Sequence, residues 1–215
     1  MSTCRCEGDY LTRRFAIVGH RAPSRGKINL NDLAGGSGRI DVLMRAINAA
    51  LFLSHGIRKD SEITLHLMGG EGRPRRINFD GSVLWGVHPD ERALAGQVSK
   101  VLQEPLPAVG QWFELHPGLS HSGGDLQTTI DEWKKSEITM IKLDSDAPML
   151  WSDNNESIPS DIGFFLSDDR PFTDSELSSL DESCISRSLG ENWIQGHIAI
   201  GIVHHQLDNG FPLNL

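Results

Sequence analysis

One stretch of this chain admits little choice of local structure. Between Gly38 and His55, the residues Ile40, Leu43, Met44, Ile47, Ala50, Leu51 and Ser54 recur at the i, i+3, i+4, i+7 spacing of one helical face. The spacing predicts an amphipathic helix over 38–55, with Gly56 placed for a left-handed C-terminal cap. Such a helix must bury its apolar stripe, and its flanks indicate against what. Phe15-Ala16-Ile17-Val18-Gly19 before it is a strand-type apolar run. After it, Ile63, Leu65 and Leu67 alternate with Thr64, His66 and Met68 up to Gly69-Gly70. Strand, helix, strand is the unit of an α/β protein with a largely parallel sheet.

The pattern continues. Arg76-Ile77-Asn78-Phe79 is a strand candidate turned at Asp80-Gly81. His88-Pro89-Asp90-Glu91-Arg92 opens a helix carrying Leu94, Val98, Val101 and Leu102, which Pro105 and Pro107 stop. Further on, 112–115 reads as strand, 125–135 as helix, and 138–143 and 163–166 as strands. Thr173-x-x-Glu176 is a capping box for a helix with Leu177 and Leu180. Residues 195–207 suit either a strand or a helix. The acidic stretch from Asp144 to Asp161 reads as a long exposed loop. With 215 residues, one core is expected, so 13–210 is read as a single domain behind a loose tail over 1–12.

No apolar run reaches the roughly 18–20 residues of a membrane helix, and the N-terminus has no apolar signal region. Cys4, Cys6 and Cys184 make no disulfide framework, which suits a cytoplasmic protein. Cys4 and Cys6 are too close for the usual metal pair, and the adjacent His204 and His205 point apart, so no metal is expected. Dinucleotide, nucleotide, zinc-protease and serine-hydrolase motifs are absent. Charge is uneven: residues 1–100 hold 15 Lys/Arg against 10 Asp/Glu, whereas 101–215 hold 5 against 19. A basic front half and an acidic back half leave room for a local phosphate-facing patch, though charge on an acidic domain also simply varies. Gly35-Gly36-Ser37-Gly38 before the helix could cradle an anion. Arg39 lies in the first turn of that helix, where a cation opposes the dipole, Arg45 on the helix itself and Arg58 past its end. Arg73, Arg75 and Arg76 on a turn could grip an RNA backbone. His66 reads as a sheet residue with a satisfied ring, His116 and His121 as solvent-facing loop residues, and Cys184 as a small core residue. Trp193 could either cover a ligand or close the core.

Several ordered blocks carry a resemblance. Gly36-Ser37-Gly38-Arg39-Ile40-Asp41-Val42-Leu43, then Ala50 to Asp60, Phe79-Asp80-Gly81-Ser82, Pro89-Asp90-Glu91-Arg92, Pro117-Gly118 and His204-His205-Gln206-Leu207-Asp208 resemble the archaeal tRNA pseudouridine N1-methyltransferases over about residues 14–208. The resemblance implies a SPOUT-type sheet with helices on both faces and a C-terminal trefoil knot, working as a homodimer with S-adenosylmethionine and no metal. It implies methyl transfer to N1 of a pseudouridine in the tRNA T-loop. It places Leu143, Ser167, Ser188, Leu189, Gly190 and His197 at the donor. Asp41, His55 and Asp60 are the candidates for base or orienter, and Arg39, Arg45, Arg58 and Arg92 for RNA contact. Ser167 stands where the family has glycine, and no cysteine follows His197, departures that suggest a bacterial-type branch. An RNA-binding member with a decayed donor pocket, or a same-fold enzyme acting on ribosomal RNA, are the competing expectations.

Overall fold

A computed structural model describes residues 11–152 and 159–215. Cys4, Cys6 and the middle of the acidic loop lie outside them. Thr12, read as the last residue of the tail, is the first residue of the first strand, and residues 1–10 lie outside the described residues.

β1 (Thr12–Pro23) is the centre of the molecule. It pairs in parallel with β4 (Ser61–Gly69) on one side and with β9 (Asp161–Ser167) on the other. Beyond β9 lie β8 (Thr139–Leu143) and β10 (Ile185–Arg187), also parallel. Beyond β4 the direction reverses: β5 (Arg75–Asp80), β7 (Leu119–Gly123) and β6 (Phe113–His116) are antiparallel. The eight-stranded order β10-β8-β9-β1-β4-β5-β7-β6 is thus a mixed sheet, not the largely parallel one expected. β7 is the strand the sequence hides. Leu119-Ser-His-Ser-Gly has no apolar alternation, yet all five residues pair with β5, and three pair with β6 across an irregularity between Glu114 and His116.

Helices cover both faces. α1 (Ile40–Leu51), α2 (Glu91–Gln103) and α5 (Gly196–Asp208) pack on one side, over Phe15, Ile17, Ile63, Leu65 and Phe164. α3 (Leu126–Lys135) and α4 (Asp174–Asp181) pack on the other, over Ala16, Val18 and Phe165. α4 begins at the expected capping box, with Thr173 and Glu176 bonding each other's main chain, and residues 196–208 are helical.

α1 is shorter than its period. It stops at Leu51 because Phe52 and Ile57 pair across a short hairpin, β2 (Phe52–Leu53) and β3 (Gly56–Ile57), whose apolar pair rests on the core. Gly56 is therefore a strand residue and not a left-handed cap. Two left-handed residues stand instead at the other end, Gly38 at φ 65° and Arg39 at φ 63°. A side chain at Gly38 would meet the Arg21 carbonyl oxygen at 2.0 Å, so glycine is required there. Pro89 precedes the N-cap Asp90 and lies outside the first turn of α2. None of the described helices is long and apolar enough to cross a membrane.

Candidate active site

The parallel strands β10, β8, β9 and β1 end together at one edge, and in open α/β sheets this carboxyl edge is where ligands bind. Register places Arg187 beside Leu143 and Ser167 beside Val18, and the Asp144 N–H donates to the Arg187 carbonyl at 3.0 Å. Leu143, Ser167 and Ser188 are therefore neighbours across the tops of three strands. Ser188 is buried and pinned: its N–H donates to Pro148, its carbonyl accepts from Leu150 (2.8 Å each), and its Oγ accepts from the Gly190 N–H at 3.2 Å. Gly190 sits at φ 141° with open space where a side chain would be. The N-terminus of α5 closes this edge, with Gly196 packed beside the Ser167 carbonyl oxygen. α5 has no side-chain cap, so its first N–H groups keep their partial positive charge. Trp193 is 74% exposed and does not close the core.

Here the structure joins the two halves of the chain. Asp169, two residues beyond Ser167, pairs with Arg21 at the end of β1 and with Arg39 (3.4 Å) at the start of α1. Arg39 forks onto Asp41, Nε to Oδ1 at 2.9 Å and Nη2 to Oδ2 at 3.1 Å, and Asp41 also holds Arg45. Burial pushes the Asp41 carboxyl up, but the Arg39 and Arg45 guanidiniums outweigh it and hold it below the usual carboxylate range. His197 is held below the usual histidine value by burial and by the nearby Arg45. Arg39 thus links the Asp41–Arg45 pair to the turn that follows Ser167, and His197 follows Gly196 beside the Ser167 carbonyl. Arg39 is the N-cap of α1 and not a first-turn residue, so its charge is answered by carboxylates.

The other candidates lie elsewhere. α1 separates Asp41 from Leu51 by about 15 Å at 1.5 Å per residue, and His55 and Asp60 come after that far end. His55 is exposed at the hairpin tip. Asp60 joins a second network with Arg13 (3.3 Å), and Asp208 binds both Arg13 (2.6 Å) and Arg58. His204 lies within it. Its Nε2 meets the Ala50 carbonyl at 3.0 Å, so Nε2 carries the proton and Nδ1 accepts from Arg13 at 3.1 Å. Burial first, then Arg58 and Arg13, push its pKa down to about 3. The block from His204 to Asp208 therefore fastens α5 to β1 and α1. Arg92 donates to Asn31 at 2.9 Å on the surface of α2.

Three expectations are corrected by packing. The Gly35-Gly36 amides are taken by the Asp32 carboxylate (2.8 and 2.7 Å), so that loop answers its own anion. Arg75 and Arg76 are not turn residues gripping a backbone. They are buried: Arg75 caps α2 through the Glu104 carbonyl, and Arg76 forks onto Glu132 at 2.7 and 2.9 Å beneath Trp112. His66 and His121 are fully buried with no hydrogen-bond partner on either ring nitrogen among the described residues, against a satisfied ring for one and solvent for the other. Cys184 is half-buried beside the second core cluster, with its thiol pushed up to about 12 by burial. A cavity of about 240 Å³ lined by Arg73, Leu106, Val109 and Thr128 shares no residue with the strand edge.

Comparison with known proteins adds the family. A family model described as "Putative SAM-dependent RNA methyltransferase" matches residues 12–210. The chain belongs to this family. It is 36% identical to a Haloarcula marismortui tRNA (pseudouridine(54)-N(1))-methyltransferase, over 91% of this chain and 96% of that one. A Haloferax volcanii protein of the same name shares 36% over the same proportions. One from Methanospirillum hungatei shares 34%, over 90% and 95%. The fold is similar to that of Archaeoglobus fulgidus Nep1 bound to S-adenosylhomocysteine, with a TM-score of 0.60 at 13% identity, covering 93% of this chain and 98% of that one.

The family's methyl donor is S-adenosylmethionine, and the strand edge suits it chemically. Half-buried Leu143 and Leu189 offer apolar surface for an adenine. The side-chain-free Gly190 lets a ligand approach the main chain, and the uncapped α5 terminus suits a carboxylate.

Proposed function

We propose that this protein transfers a methyl group to N1 of a pseudouridine in the T-loop of tRNA, at the position for which its relatives are named. The observation that carries this reading is the charge chain Arg21–Asp169–Arg39–Asp41–Arg45, which sets guanidinium groups directly beside the donor-type loops. S-adenosylmethionine supplies an electrophilic methyl on a sulfonium. N1 of pseudouridine is a weakly acidic imide nitrogen, so the protein's tasks are alignment, loss of the N1 proton and stabilisation of the uracil anion. Asp41, kept ionised by Arg39 and Arg45, accepts the N1 proton as N1 bonds to the methyl carbon and the carbon–sulfur bond of the donor breaks. It also orients Arg39 and Arg45 toward the uracil oxygens. The target nucleotide leaves its stack to reach this edge. Leu143, Ser167, Ser188, Leu189, Gly190 and His197 hold the donor, while Arg58, Arg92, His55 and Asp60 belong to an outer tRNA-facing surface.

A single domain over 13–210, a trefoil knot, a homodimer and a cytoplasmic location complete the proposal. The knot is supported by the way segment 148–152 is held on two sides: by Ser188 through Pro148 and Leu150, and by the C-terminal residues through Trp151–Leu213 pairing and the Asn214 N–H to Leu150 carbonyl bond of 2.7 Å. Exposed Trp193, Ile194 and Ile198 beside the site support a second copy packing there. Ser167, and Ile198 where the family has cysteine, support a bacterial-type branch. The test is incubation with radiolabelled S-adenosylmethionine and tRNA that carries the pseudouridine but not its methyl group. Label should appear in N1-methylpseudouridine. Binding of S-adenosylhomocysteine without any transfer to such tRNA would overturn the substrate.

A further inference from the structure

His20, near the end of β1, lies between two carboxylates from two other segments. Its Nδ1 is 2.9 Å from Asp168 Oδ1 and its Nε2 3.0 Å from Glu176 Oε2, while its main-chain N–H donates to Asp168 Oδ2 at 2.9 Å. The three side chains are 11%, 1% and 12% exposed. Both carboxylates are committed further. Asp168 Oδ1 closes its own turn by accepting from the Arg170 N–H at 3.0 Å. Glu176 accepts from the Thr173 N–H and hydroxyl at 2.8 and 2.9 Å in the α4 capping box. A neutral imidazole has one N–H and cannot donate to two carboxylates, so this geometry calls for the imidazolium. The charges around it agree. Arg21, the next residue, is taken by Asp169, and His66 on neighbouring β4 is neutral, its pKa pushed by burial to about 3. The hydrogen bonds to Asp168 and Glu176 raise the His20 pKa to about 9.

We propose that His20 is a positioning residue of the methyl-donor site, a charged pin that holds the turn Ser167–Arg170 between β1 and α4. The inference rests on the reading of Ser167 as a donor contact. The other anchors of the turn are the Asp168 N–H on the Val18 carbonyl (3.0 Å) and the part-exposed pairs of Asp169 with Arg21 and Arg39, while Ser167 Oγ bonds to the Arg170 carbonyl within the turn. His20 is the partner that holds the buried Asp168 side chain. With the pin removed, Asp168 is a buried carboxylate that keeps the main-chain N–H groups of His20 and Arg170 and the more distant charge of Arg39 but has lost the cation hydrogen-bonded to it. Such a group moves toward water. That movement would carry Ser167 away from the donor and Asp169 away from Arg39.

The test is calorimetric titration of the full-length protein with S-adenosylhomocysteine, together with donor and tRNA steady-state kinetics. His20→Ala should weaken S-adenosylhomocysteine binding about tenfold and raise the donor KM similarly, with the tRNA KM unchanged within twofold. His20→Asn, whose amide occupies the place of Nδ1 and reaches Asp168, should restore most of the affinity. His20→Gln, which reaches Glu176 instead, should not. Wild-type affinity should fall between pH 8 and 10 relative to His20→Asn, the ligand's own amino group titrating equally in both. Wild-type binding with His20→Ala within twofold of it, both chains folded by circular dichroism, would overturn the pin. Should His20→Ala not fold, the Asn and Gln variants decide, and equal affinities in those two would overturn it as well. A wild type that fails to bind at millimolar ligand overturns the donor-site reading itself, a different result.

Discussion

Arg39 holds a left-handed backbone that costs a non-glycine residue roughly 1 kcal/mol, and its side chain bridges Asp41 and Asp169 at the proposed site. Conformation and chemistry can be separated there. Arg39→Gly should leave thermal stability within about 1 kcal/mol, as relief of strain offsets the lost exposed-side ion pairs, yet lower methyl transfer at least tenfold. A variant equally active in the transfer assay would remove Arg39 from the reaction. The buried histidines make a pH prediction of the opposite sign to His20. His66 and His204 are pushed to about 3 and His121 to about 4, burial being the first cause in each. The unfolded chain therefore binds protons near pH 6.5 that the folded one refuses. The stability is fully present above pH 6.5 and drains away as the pH falls toward 4 or 3, at up to about 1.4 kcal/mol per pH unit for each group. Urea unfolding at pH 7 and pH 5 checks this, and equal midpoints would refute it. None of these three roles is visible in the sequence, because a histidine's protonation is set by what lies across from it.

Among the elements, α1 positions most of the proposed site and depends on its entry. Gly38→Ala would drive a methyl group into the Arg21 carbonyl at a left-handed position. The expected cost is about 2–3 kcal/mol, measured by urea unfolding, with weaker transfer as α1 and its arginines shift. α4 offers a milder case. Thr173→Ala removes the capping hydroxyl and should cost about 1 kcal/mol. It should also loosen Glu176 and with it His20, so the donor KM should rise with the loss of stability. The capping box at Thr173 was legible, since its chemistry is complete within four residues. The end of α1 was not: Gly56 is a plausible cap until Phe52 and Ile57 find each other and the core. β7 was illegible for a related reason, its place being decided by backbone pairing with β5 and β6 rather than by its own side chains.

For the whole molecule, the proposed second copy is tested by analytical ultracentrifugation. The species should have twice the 23.7 kDa mass of the chain, and Trp193→Ala with Ile198→Asp should return it to one. A wild-type monomer at micromolar concentration would refute the dimer. The alternation of helical and extended periods determined the α/β class, the strand–helix–strand start and most helix positions, because burying one face of an element is a local requirement written in spacing. Ordered blocks of residues pointed to the family. Tertiary structure alone decided the reversal of direction past β4, the burial of Arg75, Arg76 and His121, and the division of the expected catalytic group. Asp41, His55 and Asp60 belong to one stretch of sequence, yet a rigid helix puts Asp41 at one edge of the sheet and the other two beyond its opposite end. Asp169 and Arg39, 130 residues apart, are in contact. Spacing along a chain records which face a residue takes, whereas the identity of the residue across from it is fixed only when distant strands pair.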